Sequence, residues 1–380
     1  MIPRRLDDLP ATFLVRGDPD SEIHGVSIDT RTLQPRDLFI AFGAGVDFVP
    51  AAVEAGAAAV IVETDLAGRA ESAPSLLVTF SPLRALQCLG ADNAEATSAI
   101  RVGITGSSGK TSTKDVVAHL VAGQRRVVAA AKGNNNEIGY PLTLCRIAAD
   151  TEVAVCELAM RGRGQIAELC AMAAPHIAVI TNIGPAHIEL LGSLSAIAAA
   201  KAEIAVGVAE GGVVIVPHDE PLLAEHLPDD VRRVTFGVED GADVQLLERR
   251  RSDDGGQRVV LRVDGRDLTI DHNLLGHHHA LNLAVGIAVC RELGLDLDAV
   301  VERARTLPLP EWRGEEVALA TGCVVVNDAY NANPASMEAS LRLLAETPVS
   351  GRRIAILGVM AELGSESPRY HREIGVLCAD

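Results

Sequence analysis

Positive charge is scarce in this chain of 380 residues, where 34 lysines and arginines stand against 51 aspartates and glutamates, a formal net charge of −17. Nucleic-acid backbones are bound by basic surfaces, so a nucleic-acid partner is not expected. An acidic protein that handles nucleotides must instead gather its positive charge locally. Seven cysteines are present (Cys88, Cys145, Cys156, Cys170, Cys290, Cys323 and Cys378), yet no two have CxxC spacing. Most lie in apolar runs, as buried thiols of a reducing cytoplasm do. The N-terminal MIPRRLDDLP carries two arginines but no apolar stretch long enough for a signal peptide, and no uninterrupted apolar run reaches membrane-spanning length. A soluble, cytoplasmic protein with no membrane span is expected. Internal repeats and long disordered tracts are also missing.

What is present is alternation. Segments such as AAVEAGAAAVIVE at 51–63 and HIAVITNIGPAH at 176–187 pass between β-branched runs and alanine-rich helical patterns, the signature of α/β layers with parallel strands. The length predicts two or three domains. One boundary is expected near Ile100 and another near Pro308-Leu309-Pro310, where two prolines interrupt any helix. Between Val231 and Ile270 short strands and charged turns, such as Asp253-Asp254-Gly255-Gly256, predict a small antiparallel insertion.

Residues 102–113, VGITGSSGKTST, place a glycine-rich turn and a Lys-Thr pair between a strand and a helix. Gly106 and Gly109 let the amides of Ser107, Ser108 and their neighbours approach an anion. Lys110 adds a point charge, Thr111 offers a hydroxyl to phosphate-bound magnesium, and Ser112 at the helix start is expected to join the nucleotide-binding set. The strict Walker pattern would have glycine where Ile104 stands, so the match is the shorter GSSGKT, and an ordinary Gly/Ser loop is the competing reading. The flanking strand and helix patterns favour ATP binding.

Two carboxyl-terminal strand ends supply further polar groups. The run Val153 to Cys156 ends in Glu157, and the next strand ends in Thr181-Asn182-Ile183-Gly184-Pro185-Ala186-His187. Ligands gather at such ends in open α/β sheets, and a carboxylate with an occasional imidazole beside a triphosphate suits magnesium. Lys201 shares the apolar helix face with Ile197 and Ile204. A lysine there ordinarily snorkels to water; buried beside magnesium it would change charge state or be chemically modified.

The strings SIDTRTLQPRDLFIAF, TGSSGKTSTK, GNNNEIGYPLTL, TNIGPAHIELLGSLSAIAAAKAEI, WRGEEV, DAYNANPASM and AILGVMAELG together resemble the Mur ligase family from about Gly25 onward. Within it, Tyr330-Asn331-Ala332-Asn333-Pro334 resembles the type that adds D-alanyl-D-alanine to UDP-N-acetylmuramoyl-tripeptide in peptidoglycan precursor synthesis. The resemblance implies a three-domain α/β architecture: a small N-terminal domain over 1–99, a central parallel sheet with the phosphate loop over 100–310, and a partial Rossmann-like C-terminal domain over 311–380. It implies ATP-dependent amide synthesis through an acyl phosphate, by a monomer, with two magnesium ions.

Carried over residue by residue, the resemblance implies that Lys110 and the surrounding amides hold the ATP phosphates, while Thr111 and Glu157 coordinate magnesium. His187 would ligate the second ion, and Lys201 would become carbamylated, turning an ammonium into a carboxylate-like ligand. Asn282 would meet adenine, Arg313 the phosphates and Asp328 the ribose. Asn134, Asn135 and Glu137 would lie near the acyl phosphate, with Asn135 catalytic alongside Lys110, His187 and Lys201. Asp29, Thr30 and Arg31 would contact the uridine nucleotide. The chain departs from the family pattern in its direct run Gly43-Ala44-Gly45-Val46-Asp47-Phe48 and at His279, Asn327 and Val359.

Residues 311–380 number only 70, against about 100–150 for a complete doubly wound domain. Strands are expected near 323–327 and 353–357, then a helix from Tyr370 to Asp380. If this were the whole protein, weak or absent ligase activity would be expected. Two alternatives stand beside the ligase: an amide ligase with another acyl substrate, and an inactive nucleotide-binding scaffold.

Overall fold

The computed structural model describes every residue except Asp253, Asp254, Pro310, Glu311, Thr321 and Asp380. The turn expected at Asp253-Asp254 and the boundary expected at Pro310 therefore lie outside the described residues. The chain forms two compact units. The first comprises Met1–Ile100, Arg126–Cys156 and Ala171–Ala174; the second comprises Arg101–Arg125, Glu157–Cys170 and Pro175–Asp380.

In the first unit a five-stranded sheet runs in the order Phe13–Arg16, Leu76–Thr79, Ala59–Glu63, Asp37–Ile40, Gly25–Ser27. Only the Phe13–Arg16 edge is antiparallel. Alternate residues serve opposite faces: Phe39, Val60, Val62, Leu76 and Val78 enter one core, and Leu38, Ile40, Ala59, Ile61 and Leu77 the other. A sheet covered on both faces needs such continuously apolar strands. The second core is closed by Ala85, Leu86 and Leu89 of the helix Pro82–Glu95. That helix starts where Ser81 Oγ accepts the Arg84 amide proton at 3.2 Å, with proline in the first turn. Buried Asn93 then ties it to the segment after 126, donating to the carbonyls of Leu144 at 2.8 Å and Ile147 at 2.9 Å. The strands Val127–Ala129 and Val153–Glu157 pair in parallel.

In the second unit the strands follow the order Arg266–His272, Gln257–Val263, Val244–Arg251, Arg232–Gly237, Val213–Pro217, Ile177–Ile180 and Ile100–Thr105. Pairing is parallel from Ile100–Thr105 as far as Val244–Arg251, and antiparallel in the last two pairs. The sheet is mixed rather than wholly parallel, and the antiparallel strands expected between Val231 and Ile270 form as a segment of it. Its first strand joins the parallel ladder through Arg233 opposite Val214, and the two hairpins extend the same sheet.

The described part of 311–380 holds an antiparallel pair, Glu315–Ala318 with Val324–Asn327, and the helices Pro334–Glu346 and Ser367–Leu377. Asn333 and Ser336 exchange capping hydrogen bonds at the first helix's start. The strand expected over 353–357 does not form. Ile354 and Ile356 are exposed, and a strand exists only where a neighbour completes its ladder. Among the described residues no helix is long and apolar enough to cross a membrane.

Candidate active site

In the second unit the strand Ile100–Thr105 delivers the loop 106–109 to the N-terminus of the helix Lys110–Val121. Gly106 has φ +147°, and a Cβ there would lie 1.8 Å from Thr181 Oγ1; Gly109 caps the helix at φ +77°. Both positions need glycine, one for space and one for backbone conformation. The loop is held from the neighbouring strand's end. Thr181 Oγ1 donates to the Ser108 carbonyl at 2.6 Å, and the Ser108 amide donates to Asn182 Oδ1 at 2.9 Å. Ser107 Oγ donates to the Gly184 carbonyl and accepts the Gly184 amide proton, both at 2.9 Å. The Thr181-Asn182-Ile183-Gly184 string thus builds the cradle, a role the sequence reading had not given it. Gly106→Ala is expected to abolish detectable ADP binding by calorimetry and to destabilise the fold by about 1–3 kcal/mol, the range for overpacking. Retained binding would mean that Thr181 can swing aside without loosening the loop.

Cations and anions interleave at the helix start. Lys110 Nζ donates to the Gly106 carbonyl at 2.8 Å. Thr111 Oγ1 donates to Glu157 Oε2 at 2.9 Å and accepts from Arg313 Nη2 at 3.2 Å, so one hydroxyl joins an acid to a guanidinium. Arg313 stacks on the Tyr330 ring, 4.0 Å from its centre. Burial pushes the Lys110 ammonium below its usual range; Glu157 opposes that shift and Arg313 adds to it. Lys201, on the helix Leu194–Val206, is only 2% exposed. Its amine is pushed well down by burial first and by the Lys110 charge second. His187 is lowered by burial, with Glu362 opposing and Lys110 and Lys201 reinforcing. Lys110, His187 and Lys201 therefore feel one another's charge, as a common site requires.

Asn282 belongs to the helix His277–Glu292, accepts from Thr113 Oγ1 at 3.1 Å and lies 3.4 Å from His279 Nδ1. A Cβ on Gly109 would sit 3.2 Å from Asn282 Oδ1, so the asparagine stands directly over the loop. Burial pushes the His279 imidazole well below its usual range, leaving it a neutral neighbour. Asp328 follows the strand Val324–Asn327 and accepts from Ser340 Oγ. Burial raises its carboxyl, opposed by Ser340 and Arg313.

The first unit carries the remaining expected residues. Asp29, Thr30 and Arg31 form the turn after Gly25–Ser27. Arg31 is exposed and forks onto Asp29 at 2.6–3.0 Å, holding that carboxyl down at about 2. Asn135 lies in the loop before the helix Gly139–Cys145, its amide donating to the Gly133 carbonyl at 3.0 Å. Asn136 Oδ1 caps that helix from the amides of Ile138 and Gly139. The run Gly43–Phe48 is a 3-10 helix whose Val46 is buried.

Among the described residues no group of three or more His, Cys, Asp or Glu is arranged to hold a metal. The polar groups of the second unit described above are a hydroxyl and a carboxylate on Thr111 and Glu157, an imidazole on His187, and a buried amine on Lys201. A strand, a glycine loop and a helix N-terminus with a lysine followed by a threonine define a phosphate-loop α/β protein of the nucleotide-binding class.

Comparison with known proteins narrows that class. Residues 104–290 match the family described as Mur ligase middle domain, and residues 312–380 match the Mur ligase, glutamate ligase domain. The UDP-N-acetylmuramoyl-tripeptide--D-alanyl-D-alanine ligase of Bacillus subtilis is 36% identical over 93% of this chain and 77% of its own length. The Escherichia coli enzyme of that name is 32% identical over 94% and 79%. Among solved structures, MurF from Acinetobacter baumannii superimposes with a TM-score of 0.85 at 27% identity, covering 95% of this chain and 80% of that one. MurF from Thermotoga maritima, in complex with ADP, gives a TM-score of 0.80 at 28% identity, covering 93% and 81%. The chain belongs to the Mur ligase family.

Proposed function

We propose that this chain uses ATP to join the amine of D-alanyl-D-alanine to the terminal carboxylate of UDP-N-acetylmuramoyl-tripeptide, a step of peptidoglycan precursor synthesis. The observation that carries this reading is the Thr111 hydroxyl held between Glu157 and Arg313 next to half-buried Lys110, at the mouth of a phosphate loop. In the reaction a substrate carboxylate oxygen attacks the γ-phosphorus and ADP departs, giving an acyl phosphate. The dipeptide amine then attacks the carbonyl carbon, loses a proton, and phosphate leaves as the amide forms. No protein nucleophile is required, so positioning and charge neutralisation carry the catalysis.

Lys110 and the loop amides hold the β- and γ-phosphates, Arg313 reaches them through the same hydroxyl network, Asn282 faces the base and Asp328 the ribose. Asp29, Thr30 and Arg31 receive the uridine nucleotide, and Asn135 lies by the acyl phosphate. The substrate domain is assigned to 1–99, the ATP domain to 100–310 and the closing domain to 311–380.

Two magnesium ions fit the donor set of Thr111, Glu157, His187 and a carbamylated Lys201. Lys201 as an ammonium would repel a cation, and among the described residues no carboxylate pairs with it. Burial favours its neutral amine, the form that adds carbon dioxide, and the product is an anion with two oxygens. Magnesium, when bound, neutralises phosphate charge as it develops. The working form in this reading is a cytoplasmic monomer.

Incubating the purified chain with ATP, magnesium, UDP-N-acetylmuramoyl-tripeptide and D-alanyl-D-alanine is expected to release phosphate and give the pentapeptide product by mass. ATP hydrolysis without that product, whichever substrate is omitted, would favour the scaffold reading. Product from a tripeptide lacking the uridine nucleotide would favour another acyl substrate.

A further inference from the structure

Glu362 belongs to no role described so far. It sits in the Ala355–Gly364 string, between Met360 and Leu363, each only 2% exposed, so buried side chains on either side fix its position. The Met360 amide donates to His371 Nε2 at 3.2 Å, and His371 Nδ1 lies 2.8 Å from the Ser367 carbonyl, anchoring the segment to the helix Ser367–Leu377. From this mount the Glu362 carboxylate meets His187 Nδ1. The Glu362 carbonyl accepts the Glu189 amide proton at 3.1 Å, and a Cβ on Gly364 would lie 3.2 Å from the Glu189 Cα, so the two segments meet through backbone as well. Both partners hold a left-handed backbone, His187 at φ +62° and Glu362 at φ +60°, a conformation that non-glycine residues adopt only where their surroundings impose it.

A carboxylate can only accept, so the proton of this contact lies on Nδ1. The other ring nitrogen, Nε2, is then the one whose lone pair is available whenever the ring is neutral. We propose that Glu362 is a positioning residue: it fixes the tautomer and rotation of His187 so that Nε2 presents to magnesium. It thereby couples docking of the segment 360–364 to completion of the metal site. The proposal rests on the reading of His187 as a magnesium ligand. Carboxylates that orient a ligating histidine in this way sharpen both its direction and its basicity.

The test uses the full chain with a non-hydrolysable ATP analogue and manganese, whose binding is read by electron paramagnetic resonance. Glu362→Ala is expected to weaken manganese binding about 10–100-fold, the usual effect of removing such a partner. Glu362→Gln, whose amide oxygen can accept the same proton, is expected to fall between that variant and the native chain. ADP affinity in EDTA and the melting temperature should stay near native in both. His187→Ala runs in parallel. If His187→Ala weakens manganese binding and Glu362→Ala does not, the positioning role is overturned while the ligand reading stands. If neither variant changes it, the ligand reading itself fails. Loss of metal-free ADP affinity together with a lower melting temperature in both Glu362 variants would mark a structural prop and overturn the proposal.

Discussion

Lys201→Met is expected to melt at a higher temperature than the native chain in carbon-dioxide-free buffer, while losing about 10²–10³-fold in peptide ligation. The two effects have one cause. Lys201 is 2% exposed, its amine is depressed by burial and then by Lys110, and no carboxylate among the described residues pairs with it. Methionine fills a similar volume with no ionisable group, so the desolvation penalty disappears. Each kcal/mol regained should raise the melting temperature by about 2–4 °C.

The sign with pH follows from linkage. The folded amine titrates below its ordinary 10.5, so between the two values the unfolded chain binds more protons. The native chain's stability therefore rises with pH across that window. Below the folded value the penalty is complete, and it vanishes as pH approaches 10.5. The melting gap between Lys201→Met and the native chain should narrow as pH is raised, which differential scanning calorimetry would read. Bicarbonate should stimulate the native ligase and leave the variant unaffected. A variant that melts lower than the native chain at neutral pH, or one that keeps its turnover, would remove the physical basis for a modified lysine.

What could be read from the sequence was local. A glycine at Gly106 and another at Gly109 before Lys110 dictate a turn that opens onto a helix, and that geometry needs no distant partner. The depth of Lys201 was foreshadowed by its spacing from Ile197 and Ile204, which puts all three on one face of a helix. The grip of Thr181 and Asn182 on the loop was not legible, because it depends on the parallel register that sets Thr105 opposite Ile180. Nor was Glu362, separated from His187 by 175 residues. The Val231–Ile270 segment was legible in its antiparallel hairpins but not in the pairing of its first strand. Charged turns mark where strands end, but whether Arg232–Gly237 joins a neighbour in parallel or antiparallel fashion is decided by Val213–Pro217 beside it. Apolar residues over 353–357 likewise state a capacity for strand formation that is realised only when a partner supplies the ladder.

Lys110→Ala carries the second large expectation, a fall of about 10²–10³-fold in phosphoryl transfer with a much smaller loss of ADP affinity. Charge on the γ-phosphate develops as its bond to ADP breaks, so a lysine placed there stabilises the transition state more than it stabilises bound ADP, which lacks that group. Calorimetry with ADP against single-turnover phosphate release separates the two. Lys110→Arg should not rescue turnover, because the planar, forked guanidinium cannot take the place of a compact point charge that meets the Gly106 carbonyl. Removing Lys110 has a further consequence through its neighbours. Its charge is one of the causes that hold the Lys201 amine and the His187 imidazole down. Without it both groups should bind protons more readily, the neutral Lys201 amine should become scarcer at a given pH, and residual activity should demand more bicarbonate and a higher pH than the native chain. An unchanged bicarbonate requirement in Lys110→Ala would show that the two amines are not electrically coupled. Each would then have to be assigned its role separately.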